Sequence, residues 1–121
     1  MKGSSMSLEA ERLKRRFKKD RERAEERRAR AQGYARTLAQ EMGKADPTLR
    51  TVIGFGSTFE TWRPYRMDSD IDLAIEGGDW GALWSLIPTG EFTVSLIELD
   101  IQPEAFAKQV RIHGIVLYEK K

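Results

Sequence analysis

Apolar residues are sparse in the first third of the chain and dense in the remainder. Residues 8–42 contain few large apolar side chains, whereas residues 50–119 hold nearly all the Val, Ile, Trp and Phe. The first segment has no proline and a single glycine, Gly33, and it is dominated by strong helix formers. The pattern predicts one long helix over residues 8–42 that ends at Gly43.

The two halves of this helix differ in their apolar pattern. The second half carries a stripe of apolar residues at helical spacing: Ala31, Tyr34, Ala35, Leu38 and Met42. Such a stripe is typical of a helix that packs on a core. A seven-residue repeat runs through Phe17, Ala24, Ala31 and Leu38, but Asp20 and Arg27 stand at the interleaved positions. The first half therefore has no continuous apolar seam. We therefore expect a solvated arm followed by a packed half.

Beyond the helix, short apolar runs alternate with helical segments. Strands are predicted at Thr51–Phe55, Asp70–Glu76, Phe92–Leu99 and Ile115–Tyr118, and helices at Thr58–Trp62, Asp79–Ile87 and Glu104–His113. This order predicts an α/β (α+β) two-layer domain around a four-stranded sheet. We set residues 1–7 apart as a tag or disordered segment, residues 8–42 as a charged N-terminal helix, and residues 43–121 as the domain.

The charge of the chain is unevenly distributed. Residues 9–30 hold eleven Lys/Arg and six Asp/Glu, whereas residues 31–121 hold nine and thirteen. A nucleic acid could bind the basic helix through its phosphates, but the interleaved acids favour a solvated helix or an arm that docks to a partner protein.

The composition narrows the classes of protein further. The chain has no cysteine, which excludes disulfides and thiolate metal sites. No apolar run approaches the 18 residues of a membrane span. We therefore expect a soluble, cytoplasmic protein without a membrane partner.

Two short motifs carry candidate chemistry. Asp70 and Asp72 are two apart at the start of a predicted strand, so their side chains project to one face, as the oxygen ligands of Mg²⁺ do. Gly56-Ser57 follows another strand, where backbone N–H groups and a hydroxyl can donate to phosphate. A triphosphate needs both kinds of group.

Other phosphate and metal motifs do not fit the spacing. The chain has no Gly-x-x-x-x-Gly-Lys phosphate loop. A dinucleotide-binding Gly-x-Gly-x-x-Gly is excluded because Phe59 stands where the third glycine is needed. The run from Asp68 is not a calcium loop, since Leu73 replaces the glycine and Asp79 the glutamate.

The combination of these motifs resembles the minimal nucleotidyltransferase family of the DNA polymerase beta-like superfamily. The resemblance covers residues 50–119 and rests on Gly56-Ser57, on Asp68-Ser69-Asp70-Ile71-Asp72-Leu73, and on the apolar run Val94–Leu99. It implies a mixed sheet with packed helices, an NTP substrate (usually ATP) and two Mg²⁺ ions. Gly56 and Ser57 would then bind the nucleotide, and Asp70 and Asp72 would be catalytic metal ligands.

The resemblance also implies an activity and a partner. The expected reaction transfers an NMP, with AMP from ATP as the first choice, to a protein or a small acceptor. Many members of the family are antitoxins paired with a HEPN-type partner protein. Oligomerisation is left open by the sequence.

One departure from the family opens an alternative. The third catalytic carboxylate is expected on the following strand, where this chain has Ser95. Glu98 and Glu91 are the nearby residues that could supply it instead. The alternative is a nucleotidyltransferase fold with lapsed catalysis that acts by docking to a partner protein. If Glu98 or Glu91 lies beside Asp70 and Asp72 in the folded protein, the catalytic interpretation is favoured over the binding module.

Overall fold

The computed structural model describes residues 7–121 and shows a four-stranded sheet with packed helices. The helices are α1 (Leu8–Ala45), α2 (Trp80–Trp84) and α3 (Glu104–His113), and a 3-10 turn covers Leu99–Ile101. The strands are β1 (Leu49–Phe55), β2 (Ile71–Gly77), β3 (Val94–Glu98) and β4 (Ile115–Glu119). The predicted α+β class is confirmed, and residues 1–6 of the predicted tag segment lie outside the described part.

The strands lie in the order β3-β2-β1-β4. Strand β1 is antiparallel to both β2 and β4, whereas β2 and β3 are parallel, so the sheet is mixed. A parallel pair needs a crossover connection, and α2 lies in the connection between β2 and β3. The two central strands, β1 and β2, are those that carry the candidate motifs at their ends.

Alternation along β2 separates two apolar clusters on opposite faces of the sheet. Ile71, Leu73 and Ile75 pack toward α1, in a cluster that also contains residues of every other strand. Ala74 packs toward α3, with Ile53, Leu99, Ala107 and Val110. The sheet thus has helices on both faces, and the two-layer prediction is wrong in that respect. Asp72 lies on the α3 face, because it is two residues from Ala74.

Helix α1 is half arm and half core. Between residues 8 and 26 only Ala10 and Ala24 are partly covered, and the other side chains are exposed. From residue 31 onward the helix buries Ala31, Ala35, Leu38, Ala39 and Met42. The predicted amphipathic half and the predicted solvated arm are both confirmed. The division of the chain into separate domains stays a prediction.

Helix α1 continues through Gly43 to Ala45, so the prediction that Gly43 ends it is wrong. The ring of Tyr118 in β4 lies against the backbone at this point, and a β-carbon on residue 43 would overlap that ring. The glycine therefore permits close packing of α1 on β4. It does not terminate the helix.

The segment after β1 forms successive turns, and the short helix predicted over Thr58–Trp62 does not form. One helical turn closes there, where the N–H of Glu60 donates to the Gly56 carbonyl at 2.8 Å. The following carbonyls of Thr58 and Arg63 accept hydrogen bonds from α1 side chains instead of from helix amides. A longer helix is therefore not built.

Two other elements are shorter than predicted. Strand β3 ends at Glu98, and Leu99 begins the 3-10 turn that packs under α3. Helix α2 ends at Trp84, although Asp79 caps its start as predicted, by accepting from the N–H of Ala82. No helix within residues 7–121 combines the length and the apolar character that a bilayer crossing requires.

Candidate functional site

The turn that follows β1 lies directly against β2. Gly56 has a φ of +73°, a left-handed conformation that favours glycine. A β-carbon on Gly56 would also overlap Oδ2 of Asp72. Both conditions select glycine, and together they place the Gly56-Ser57 turn beside the Asp72 carboxylate.

The register of the two central strands explains this contact. Phe55, the last residue of β1, pairs with Asp72 near the start of β2. The hydroxyl of Thr58 donates to the Asp70 carbonyl at 3.0 Å and links the turn to the chain just before β2. The structure therefore brings the Gly-Ser turn and the two aspartates together.

The Asp72 carboxyl is half-buried and lies in a negative environment. Its pKa is raised to about 6, first by burial and then by the charges of Asp70 and Glu60, against a lowering by Arg63. Burial and like charges both disfavour the ionised form. One arginine therefore offsets only part of the negative charge around Asp72.

Glu60 is a residue of this site that the sequence motifs did not single out. Its side chain is buried, Oε2 accepts a hydrogen bond from the N–H of Gly56, and Oε1 lies 3.2 Å from Nε of Arg63. The signal available in the sequence was a carboxylate four residues after Gly56, close enough along the chain to reach the turn.

Of the three residues considered at the third-carboxylate position, Ser95 lies beside Asp72, and the two glutamates lie on the α1 side of the sheet. Ser95 pairs with Asp72 across β2 and β3, so it faces the same side at the expected place. Glu98 pairs with Ile75 and by alternation faces α1. Glu91 binds Arg30 at 2.8 Å on the α1 side. Neither glutamate joins the aspartates.

Helix α1 holds the loop beyond the Gly-Ser turn through two side chains. Arg28 is buried and donates to the carbonyls of Arg63 at 2.6 Å and Thr61 at 3.4 Å. Gln32 donates to the Thr58 carbonyl at 2.8 Å. These are positioning contacts, and they depend on the tertiary fold, since neither residue stands out in the helix sequence.

An exposed aromatic pair lies at the rim of the same loop. Trp62 is 64% exposed, and its ring meets that of His113 edge to face, with centroids 5.6 Å apart. His113 is the last residue of α3, so this aromatic contact joins α3 to the loop.

The donor set of Asp70 and Asp72 fits a hard divalent cation such as Mg²⁺. The uncompensated negative charge around Asp72 is what a bound cation would neutralise. Within residues 7–121 no cluster of three or more His, Asp or Glu side chains is arranged to hold a metal. An ion here would take its other ligands from water and from substrate phosphate, as Mg²⁺ commonly does.

Comparison with solved structures identifies the fold. A protein from Sulfolobus solfataricus described as a putative nucleotidyltransferase matches with a TM-score of 0.56 and 19% identity, over 80% of this chain and 87% of that one. A toxin-antitoxin structure with AMP-PNP matches with a TM-score of 0.52 and 24% identity, over 70% of each chain.

A third structure is the toxin-antitoxin pair MntA-HpeT, in a mutant that has glutamates in place of two aspartates two positions apart. It matches with a TM-score of 0.50 and 22% identity, over 70% of each chain. No protein-family model and no curated protein sequence matches this chain. The structural matches agree with the mixed sheet and packed helices described above, and the chain therefore has a nucleotidyltransferase fold.

Proposed function

We propose that this protein is a nucleotidyltransferase that transfers an NMP from an NTP, with ATP as the first candidate, to a protein or small acceptor. The observation that carries the proposal is the contact between the Gly56 turn and Asp72. It joins a phosphate-type turn to a pair of carboxylates at the end of the two central strands. A structural neighbour with AMP-PNP supports the choice of nucleotide.

In this proposal each residue of the site has a defined task. Asp70 and Asp72 would hold two Mg²⁺ ions, and Gly56 and Ser57 would bind the triphosphate. Metal held by these aspartates would neutralise charge on the reacting phosphate and polarise it. The acceptor hydroxyl would lose its proton to solvent as its oxygen forms a bond to the α-phosphorus. The bond from that phosphorus to the bridging oxygen of the β-phosphate would break, and pyrophosphate would leave with that oxygen. Asp72 and the turn thereby orient the triphosphate for in-line attack.

The acceptor is proposed to be a partner protein, of the kind found in toxin–antitoxin pairs. Two of the structural neighbours are toxin–antitoxin structures. In one of them the altered aspartates have the same two-residue spacing as Asp70 and Asp72. A HEPN-type toxin is the first candidate for the partner, with this chain as the antitoxin.

Labelled ATP tests this proposal. Protein is incubated with α-labelled ATP, Mg²⁺ and the product of the neighbouring gene, and transfer is measured as label on the partner. Asp72→Asn should abolish transfer, because it removes a metal ligand. Asp68→Asn is the matched control, since that carboxylate lies in the same segment but is 86% exposed. Transfer that survives in Asp72→Asn would reject the assignment.

A second candidate function is a binding module that neutralises a partner without catalysis. Ser95 favours it, because a hydroxyl stands beside Asp72 where a third carboxylate is expected. In that case Asp70→Asn and Asp72→Asn would leave neutralisation of the partner intact. Co-expression of each variant with the partner, scored by growth, distinguishes the two functions.

A further inference from the structure

The N–H group at the centre of the proposed phosphate site already has an anionic acceptor. Oε2 of Glu60 accepts from the N–H of Gly56 at 2.5 Å. Hydrogen bonds to a charged acceptor are the short and strong class. A phosphate oxygen would need the same donor, and one N–H cannot serve two full hydrogen bonds.

Glu60 is held in this position from several sides. Its Oε1 is paired with Nε of Arg63 at 3.2 Å, and only 6% of the residue is exposed. Its own N–H donates to the Gly56 carbonyl, which closes a ring of two bonds between the same residues. This reciprocal pattern is similar to a capping box, in which a glutamate side chain accepts from the first backbone N–H of a helix.

Glu60 also affects the charges around Asp72, in addition to capping the turn. Its carboxylate lies close enough to Asp72 for its charge to contribute to the raised pKa of that group. Arg63 is a cation that lowers the pKa of Asp72, and it is already paired with Glu60. An entering triphosphate therefore meets an occupied donor and an occupied arginine.

We propose that Glu60 is an internal occupant of the phosphate site and competes with the triphosphate for the Gly56 N–H and for Arg63. This inference rests on the proposed nucleotide-binding function and adds a residue that sets its affinity. Binding requires the carboxylate to leave, so the apparent affinity falls by the fraction of molecules in which it has left. Arg63, once released, is free to pair with phosphate.

The test measures binding of inorganic triphosphate, with and without Mg²⁺, by titration calorimetry. Glu60→Gln removes the charge and the ion pair while keeping the size of the side chain. We expect its triphosphate affinity to rise about tenfold or more, since a charge-assisted competitor is lost. The matched control is Glu76→Gln, which removes a largely buried glutamate paired with Arg111 on the same face of the sheet. Its affinity should equal that of the wild type.

A purely structural role of Glu60 predicts the opposite result. If the residue only caps the turn, Glu60→Gln would lower the melting temperature and leave triphosphate affinity unchanged or weaker, and the inference would be overturned. Glu60→Asp serves if the glutamine variant fails to fold, because the shorter carboxylate keeps its charge but reaches less far toward Gly56. It too should bind more tightly than the wild type.

The outcomes separate this inference from the proposed function. Tighter triphosphate binding by the variant without any nucleotidyl transfer supports Glu60 as a competitor and rejects the enzyme. Transfer by the wild type with equal affinities in wild type and variant supports the enzyme and rejects the competitor. Absence of triphosphate binding in both the wild type and the folded variant rejects both.

Discussion

The two faces of the sheet differ in the size of their apolar cluster and in the charged groups they carry. The face toward α1 carries the larger apolar cluster and is covered by the second half of that helix. The face toward α3 has a smaller apolar cluster. Asp72 and Ser95 lie on this face as a pair, near the first residues of β2 and β3. We expect the first face to supply most of the stability, because it buries the larger apolar cluster, while the second carries the half-buried Asp72 carboxyl. The contrast shows how alternation in one strand, β2, can serve both packing and chemistry.

The largest effect should come from breaking the α1 face. Leu73 is fully buried there, and Leu73→Ala leaves a cavity. We expect a loss of about 2–5 kcal/mol in the free energy of unfolding, the usual range for such truncations. Urea denaturation measures it. A loss below that of an exposed control, Leu86→Ala, would contradict the assignment of this face as the stabilising one.

A smaller effect is expected at the turn beside the α3 face. Gly56→Ala forces an alanine into a left-handed conformation and into Asp72, so the variant should lose about 1–3 kcal/mol of stability and its triphosphate binding. Gly33→Ala is the control, because nothing lies within 4 Å of the added carbon in an exposed helix position. It should gain about 0.5–1 kcal/mol. Equal effects of the two substitutions, measured by urea denaturation, would contradict the special geometry of Gly56.

The Asp72 carboxyl should make the α3 face sensitive to pH. Its pKa is raised from 3.8 to about 6 in the folded protein. The folded state then binds more protons than the unfolded state between these values, so stability falls as pH rises through this window. The penalty is absent below pH 3.8 and complete above pH 6.

Asp72→Asn tests this pH dependence. The variant should be more stable than the wild type by about 1 kcal/mol at pH 7.5, after allowance for solvent screening, and by little at pH 3.5. Mg²⁺ should raise the melting temperature of the wild type at pH 7.5 but not that of the variant. Melting curves of wild type, Asp72→Asn and Asp68→Asn at the two pH values measure both effects. A difference that does not change with pH would contradict the assigned cause.

The smallest effect is expected in the arm, which belongs to neither face. Phe17 is 52% exposed, and its side chain lies beyond the packed half of α1. Phe17→Ala should change the free energy of unfolding by less than about 0.5 kcal/mol, as is usual for surface substitutions. The comparison is with Leu38→Ala in the same helix, which is buried in the core. Similar losses in both variants would mean that the arm packs on something.

The sequence predicted the elements well because their signals are local. The apolar runs located all four strands, and proline and Gly114 bracketed α3 at its observed bounds. The sequence analysis also expected the Gly-Ser turn and the aspartates to serve one triphosphate, and the structure places the turn beside Asp72. Both results follow from patterns within a few residues.

The errors arise where tertiary contacts override local signals. Gly43 was predicted to end the helix, but the structure shows that a glycine is needed there because the Tyr118 ring packs against the helix backbone. The turn after Gly56 reads as a helix, but α1 side chains bind its carbonyls. Glu60 was missed because its partners, the Gly56 N–H and Arg63, are defined only when the turn is folded. Such contacts leave no pattern in one sequence.

Arg28 joins two parts of the molecule into one cooperative unit. Its guanidinium group binds carbonyls of the loop and lies 5.0 Å from the centre of the Tyr65 ring. Local unfolding of the loop would leave the buried Arg28 guanidinium without its carbonyl partners, which is costly. We therefore expect the loop to unfold only together with the middle of α1. Backbone amides of the loop and of that helical turn should exchange with deuterium together. The amides of the arm, on the same continuous helix, should exchange far sooner.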